Sequence, residues 1–173
     1  AARLQAVVAR AELADDAHTT VAAVVAEHGS CDILVNNAGT NPAPGHMGEV
    51  ELAAVDKTWL VNQRGPLAWA QAAWQGWMKE HGGVIINTAS VQGLQSQRLV
   101  PAYAASKGAV LSLTQEMSLD YAAEGIRVLA VCPGSIDTEM LRTAAAHEGN
   151  DIDATVRRIG SDHPIGRIGT GQD

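Results

Sequence analysis

The sequence predicts an α/β fold, a doubly wound parallel sheet with helices on both faces. Three observations predict it. Short apolar runs alternate along the chain with longer helical segments, the pattern of a parallel sheet covered by its crossover helices. Hydrophobic residues make up 46% of the 173, enough for a packed core. Small residues dominate over aromatic ones, which suits helices packed closely on a sheet. At this length the chain is one domain, residues 1–173.

The elements follow in order. Val7 to Ala11 is a short strand. Asp16 to His28 is a helix with Val21, Val24 and Val25 on one face, ended by Gly29. Asp32 to Val35 is a buried strand, and Asn41 to Gly45 is a loop by its turn residues. Helix resumes near Glu51 and runs to Lys79. Gly65-Pro66 divides it into a short and a long helix, because proline is tolerated in a first helical turn. After Gly82-Gly83, Val84 to Thr88 is the next strand, and Val91 to Pro101 is a loop. Tyr103 to Glu124 is a long helix closed by Gly125, and Arg127 to Val131 is another strand. Asp137 to Arg158 is polar and helical in parts.

Ligands of open parallel sheets sit outside the carboxyl ends of the strands. Asn36, Ser90 and Pro133-Gly134 each follow a strand, so all three fall on one edge. The helix carrying Tyr103 and Lys107 starts near that edge, since only a loop separates it from Ser90. Tyr103 and Lys107, four apart, share one helix face. A neighbouring ammonium favours a phenolate, so Lys107 is expected to lower the Tyr103 pKa toward the range where a phenol exchanges protons near neutral pH. Ser90 can hold a substrate oxygen against the Tyr103 hydroxyl; the plainer reading is a serine capping the turn after a strand. Asn62 stands in mid-helix, where asparagine is a poor choice, so either function or a kink calls for it.

Asn36-Asn37-Ala38-Gly39, Asn62, Ser90, Tyr103-Ala104-Ala105-Ser106-Lys107 and Pro133-Gly134, in this order, resemble the short-chain dehydrogenase/reductase family. The resemblance runs from about Val7 to the end and implies a Rossmann-like fold using NAD or NADP. It implies Asn62, Ser90, Tyr103 and Lys107 as catalytic, with Asn62 linking Lys107 to a water chain. Tyr103 and Lys107 also touch the cofactor, Lys107 through the ribose hydroxyls. Asn36, Ala38, Gly39, Pro133, Gly134, Ile136 and Thr138 would line the cofactor, and Thr138 would bond its carboxamide or a phosphate. Glu12, where the family usually has Asp, and Leu13 would lie near the adenine. Asn36 reads equally well as a pin between two strands. Leu129 stands where the family usually has Asn, a change that touches packing and not catalysis.

The family's glycine-rich turn, which receives the cofactor diphosphate at a helix N-terminus, has no counterpart before Asn36. The last helix and strand also have none. The chain therefore reads as an internal fragment of a longer enzyme and is expected to be inactive alone.

Net charge is -7 with no basic run, which argues against nucleic acid and anionic membranes. No apolar stretch approaches the roughly 20 residues of a membrane span. Six histidines lack ligand spacing and read as surface residues, so no metal is expected. Cys31 and Cys132 read as small apolar residues within strands, consistent with a reducing cytoplasm.

The expected reaction is hydride transfer between NAD(P) and a secondary alcohol or ketone. The polar segment from Met140 to His163 favours a small polar substrate, though a solvated flap explains its charges equally well. The alternatives are a relative that epimerises or dehydrates, and a catalytically silent binding or oligomerisation module. Trp69, Trp74 and Trp77 read first as core, and the resemblance adds homo-oligomerisation through the helices Asn62–Trp77 and Tyr103–Tyr121.

Overall fold

The computed structural model describes residue 7, residues 16–148 and residues 151–173. The predicted first strand, apart from Val7, and the adenine-side residues Glu12 and Leu13 lie outside the described residues. Two compact units divide the chain, one ending at Val131 and one starting at Cys132.

In the first unit, α1 (Ala17–His28) precedes β1 (Ile33–Asn36). A helical run follows as α2 (Leu52–Trp59), a π-turn (Leu60–Arg64), α3 (Gly65–Ala73), a second π-turn (Trp74–Met78) and α4 (Lys79–His81). Then come β2 (Gly83–Thr88), a 3-10 turn (Val91–Gly93), α5 (Pro101–Tyr121), a 3-10 turn (Ala122–Glu124) and β3 (Ile126–Val131). The three strands are parallel in the order β1-β2-β3, with Asn36 opposite Asn87 and Asn87 opposite Ala130. Each crossover between them carries helix, as parallel strands require.

The expected break at Gly65-Pro66 is absent: helix continues through it. Pro66 lacks an N–H, and its ring would strike the carbonyl four residues back in a regular helix. The π-turn just before it changes the register, with the Gly65 N–H bonding the Leu60 carbonyl five residues back. Such single-turn π segments inside α-helices are frequent at functional sites, and this one carries Asn62.

The core lies on one sheet face. Ile85, Ile126 and Val128 pack there with Ala70 and Ala73 of α3, Met78, and Met117 of α5. A second cluster joins α1 to α3 through Ala17, Val21, Trp69 and Ala72. Trp74 stacks on Tyr121 and Trp77 donates to Asp32, so these tryptophans make contacts within the chain, as the first reading has it. The opposite sheet face carries Ile33, Val35, Leu129 and Val131, all exposed. Leu129 thus sits on that face, away from the core. Cys31 and Cys132 lie just outside the strands, not within them.

The second unit contains α6 (Glu139–Glu148) and α7 (Ile152–Ser161). Arg142 ties them by pairing with Asp137 at 2.7 Å and with Asp153 at 3.4 Å. Arg158 pairs with Glu148. Ile136 bridges in parallel to Gly169. Among the described residues, no helix is long and apolar enough to cross a membrane, and no cluster of metal-ligating side chains occurs.

Candidate active site

The first unit holds seven of the described candidates, gathered toward the carboxyl edge of its sheet. Asn36 ends β1, and Ala38 and Gly39 follow it as exposed backbone. Ser90 follows β2 and is buried. Its hydroxyl accepts the Gln92 N–H at 3.1 Å, so it does cap the turn after the strand. The same side chain lies beside Tyr103 and favours its ionised form. A hydroxyl has one donor and two acceptor positions, so the two roles are compatible.

Lys107 lies one turn beyond Tyr103 on α5 and is 3% exposed. Its Nζ donates to the Thr88 carbonyl at 2.6 Å and stands 5.7 Å from the Tyr103 ring centre. Burial lowers the Lys107 pKa to about 8, because the charged form is poorly solvated there. The Tyr103 pKa is raised: burial pushes it up, and Ser90 beside it brings it only partly back. This reverses the expected lowering by Lys107. Desolvation of the phenolate is the largest cause, while Lys107, its own charge disfavoured by burial, is turned toward Thr88.

Asn62 is buried, and its bonds explain its place in the helix. Its Oδ1 accepts the Thr40 N–H at 2.8 Å, while its Nδ2 donates to the Thr40 carbonyl at 2.9 Å and to Ser106 Oγ at 2.9 Å. Ser106 in turn donates to the Tyr103 carbonyl at 2.8 Å. Asn62 therefore ties the loop after β1 to the first turns of α5. Gly39 sits directly over this group. A Cβ there would stand 3.3 Å from Lys107 Nζ and 3.7 Å from Asn62 Oδ1. The missing side chain leaves room beside the buried lysine head. One of its three donors goes to Thr88, which suits the group to a ligand carrying hydroxyls.

Asn36 does bridge the strands. Its Nδ2 donates to Asn87 Oδ1 at 2.9 Å, and Asn87 passes the chain to Thr114 at 3.0 Å. Removing that donor leaves a fully buried acceptor unpaired. Asn36→Ala in the full-length protein is therefore expected to lower unfolding free energy by about 1–3 kcal/mol, read from the urea midpoint. Unchanged stability with weakened cofactor binding would favour the lining role instead.

The remaining candidates belong to the second unit. Pro133 and Gly134 follow β3 in sequence, and the Ser135 N–H donates to His163 Nε2 at 3.1 Å. His163 Nδ1 lies 3.1 Å from the Ile159 carbonyl, which assigns the proton to that nitrogen. His163 is thus half-buried and bonded on both ring nitrogens, unlike the expected surface histidine. The Thr138 hydroxyl accepts the Leu141 N–H at 3.3 Å at the start of α6. Asn87, Thr40, Ser106 and His163 were not foreseen in these roles. Only the polar run Asn87-Thr88 inside an apolar strand hinted at any of them.

The profile of a family described as short chain dehydrogenase matches residues 1–149. The chain belongs to the short-chain dehydrogenase/reductase family. Its relatives include 2-(S)-hydroxypropyl-CoM dehydrogenase 3 of Xanthobacter autotrophicus, 36% identical over 165 residues. That match covers 94% of this chain and 64% of the relative, so the chain spans less than two thirds of its length. Among solved short-chain dehydrogenase/reductase structures, NAD+-bound xylitol dehydrogenase has a TM-score of 0.86 at 26% identity, covering 95% of this chain and 66% of that one. A variant of actinorhodin polyketide ketoreductase, solved with NADPH, has a TM-score of 0.86 at 32% identity and covers 93% of this chain and 64% of that one. The Rossmann-like parallel sheet is thus shared with them.

Proposed function

We propose that the protein containing this chain is an NAD(P)-dependent oxidoreductase acting on a secondary alcohol or ketone of a small polar substrate. The observation that carries this reading is the cluster of Ser90, Tyr103 and Lys107 at one strand edge, with Ser90 and Lys107 buried and Ser90 beside Tyr103. When bound, the nicotinamide cofactor supplies or accepts the hydride. Ser90 orients the substrate oxygen. Tyr103 gives a proton to that oxygen in reduction and takes it in oxidation. Lys107 is placed to hold ribose hydroxyls and to favour the phenolate. Asn62 fixes the loop after β1 against α5. Asn36, Ala38 and Gly39 line the cofactor on the first unit; for Pro133, Gly134, Ile136 and Thr138 of the second, a cofactor-lining role rests on the family resemblance alone.

The charges of the second unit no longer argue for a polar substrate, because Arg142 and Arg158 are paired within it. Support comes instead from similar proteins named for xylitol and for 2-(S)-hydroxypropyl-CoM. Homo-oligomerisation through α3 and α5 belongs to this proposal, with Leu119 exposed on α5. So does the cytoplasm as its compartment.

The test is an absorbance assay at the reduced-nicotinamide band, run on the full-length protein with a panel of polyols and 2-hydroxyalkyl thioethers. Turnover with at least one class is expected, and none from the 173-residue chain alone. A full-length protein silent with both cofactors across the panel rejects the reading.

A further inference from the structure

Resting on that reading, we propose that Gly93 is a positioning residue that sets the reach from Ser90 to Tyr103. Ser90 and Gly93 are the two ends of one hydrogen-bonded turn. The Gly93 N–H donates to the Ser90 carbonyl at 2.9 Å, and the Ser90 hydroxyl caps the turn from inside. The turn is stiffened further by bonds from Leu94 and Gln95 to the Val91 carbonyl at 3.0 and 2.8 Å. Ser90 therefore moves where Gly93 moves.

Gly93 rests on the backbone of α5. A Cβ added there would meet both the carbonyl carbon and the carbonyl oxygen of Lys107 at 2.7 Å, and the Gly108 nitrogen at 3.0 Å. These are main-chain atoms of a 21-residue helix, so no side chain can swing away to make room. Nor can the helix retreat easily, because Lys107 Nζ holds it to the last residue of β2. The turn itself must lift. Ser90 then leaves Tyr103, while Lys107 keeps its own contact. The contact is one-sided: a Cβ on Gly108 would meet the Gly93 carbonyl oxygen at 3.6 Å, an ordinary separation. Two glycines face each other, but only Gly93 is required to be one.

The experiment compares Gly93→Ala, Gly108→Ala, Ser90→Ala and the Ser90→Ala/Gly93→Ala double variant in the full-length protein. It reads kcat, substrate KM, cofactor affinity by reduced-nicotinamide fluorescence, and melting temperature. Gly93→Ala is expected to lose ~10²-fold in kcat, the scale of an ångström-sized misplacement, with cofactor affinity within about threefold. Gly108→Ala should keep kcat within about threefold. The double variant should be no worse than the poorer single one, because Gly93 acts through Ser90. Additive losses, or a Gly93→Ala enzyme at wild-type kcat beside an impaired Ser90→Ala, overturn the inference. A silent Ser90→Ala rejects the functional reading beneath it. If Gly93→Ala does not fold, Gly108→Val presses on the Gly93 carbonyl from the helix side, and wild-type kcat there also overturns the inference.

Discussion

Tyr103→Phe in the full-length protein is expected to lower turnover by at least ~10²-fold, the typical contribution of a positioned acid–base group. The substitution removes one oxygen and keeps the ring. Tyr103 is partly buried on α5, so its packing persists, and the Lys107–Thr88 bond does not involve it. Cofactor affinity and melting temperature should therefore stay near wild type while kcat collapses. Ser90 retains its bond from the Gln92 N–H. A Tyr103→Phe enzyme within threefold of wild type would remove Tyr103 from the chemistry.

Lys107→Met should give a second large effect, in two separable readouts. In activity, cofactor affinity and turnover fall together, and the basic limb of the oxidation profile moves to higher pH. The phenol is already shifted upward by burial, and the variant loses a cation 5.7 Å from its ring, a charge of the sign that favours a phenolate. In stability, the sign is set by the lowered lysine pKa. Between about 8 in the folded state and 10.5 unfolded, the unfolded chain binds more protons. Wild-type stability attributable to Lys107 therefore rises with pH across that window and is least below it. Lys107→Met removes this dependence. Its stability relative to wild type should be higher at pH 7 than at pH 10, by about 3 kcal/mol at most for a displacement of that size. Urea unfolding of both proteins without cofactor at the two pH values reads it. Parallel stability curves would show that the lysine is not desolvated.

The three described strands, the helices between them and the edge where Asn36, Ser90 and the start of α5 meet were legible in the sequence because they depend on local patterns. An apolar run bounded by glycines makes a strand wherever it is placed, and parallel order follows from the helices between strands. The YxxxK spacing puts Tyr103 and Lys107 on one helix face by periodicity alone. Proline chemistry correctly marked residues 65–66, but not its outcome. A π-turn or a helix break both relieve the clash, and the choice rests on what the helix packs against.

Tertiary structure decided what the side chains do at that edge. Whether Lys107 lowers the Tyr103 pKa depends on distance and burial, and here burial is the largest cause, with the lysine head 5.7 Å from the ring. Asn36 finds Asn87 across fifty-one positions, and Asn62 finds Ser106 across forty-four. Gly93 looks like any turn glycine until the Lys107 carbonyl is seen beneath it. Residue type, spacing and periodicity act within a few positions, so the sequence alone determined the elements and the family chemistry. Hydrogen bonds, desolvation and backbone contact act between atoms brought together only by packing, so the fold alone decided which of those residues pair, which are buried, and how far apart they stand.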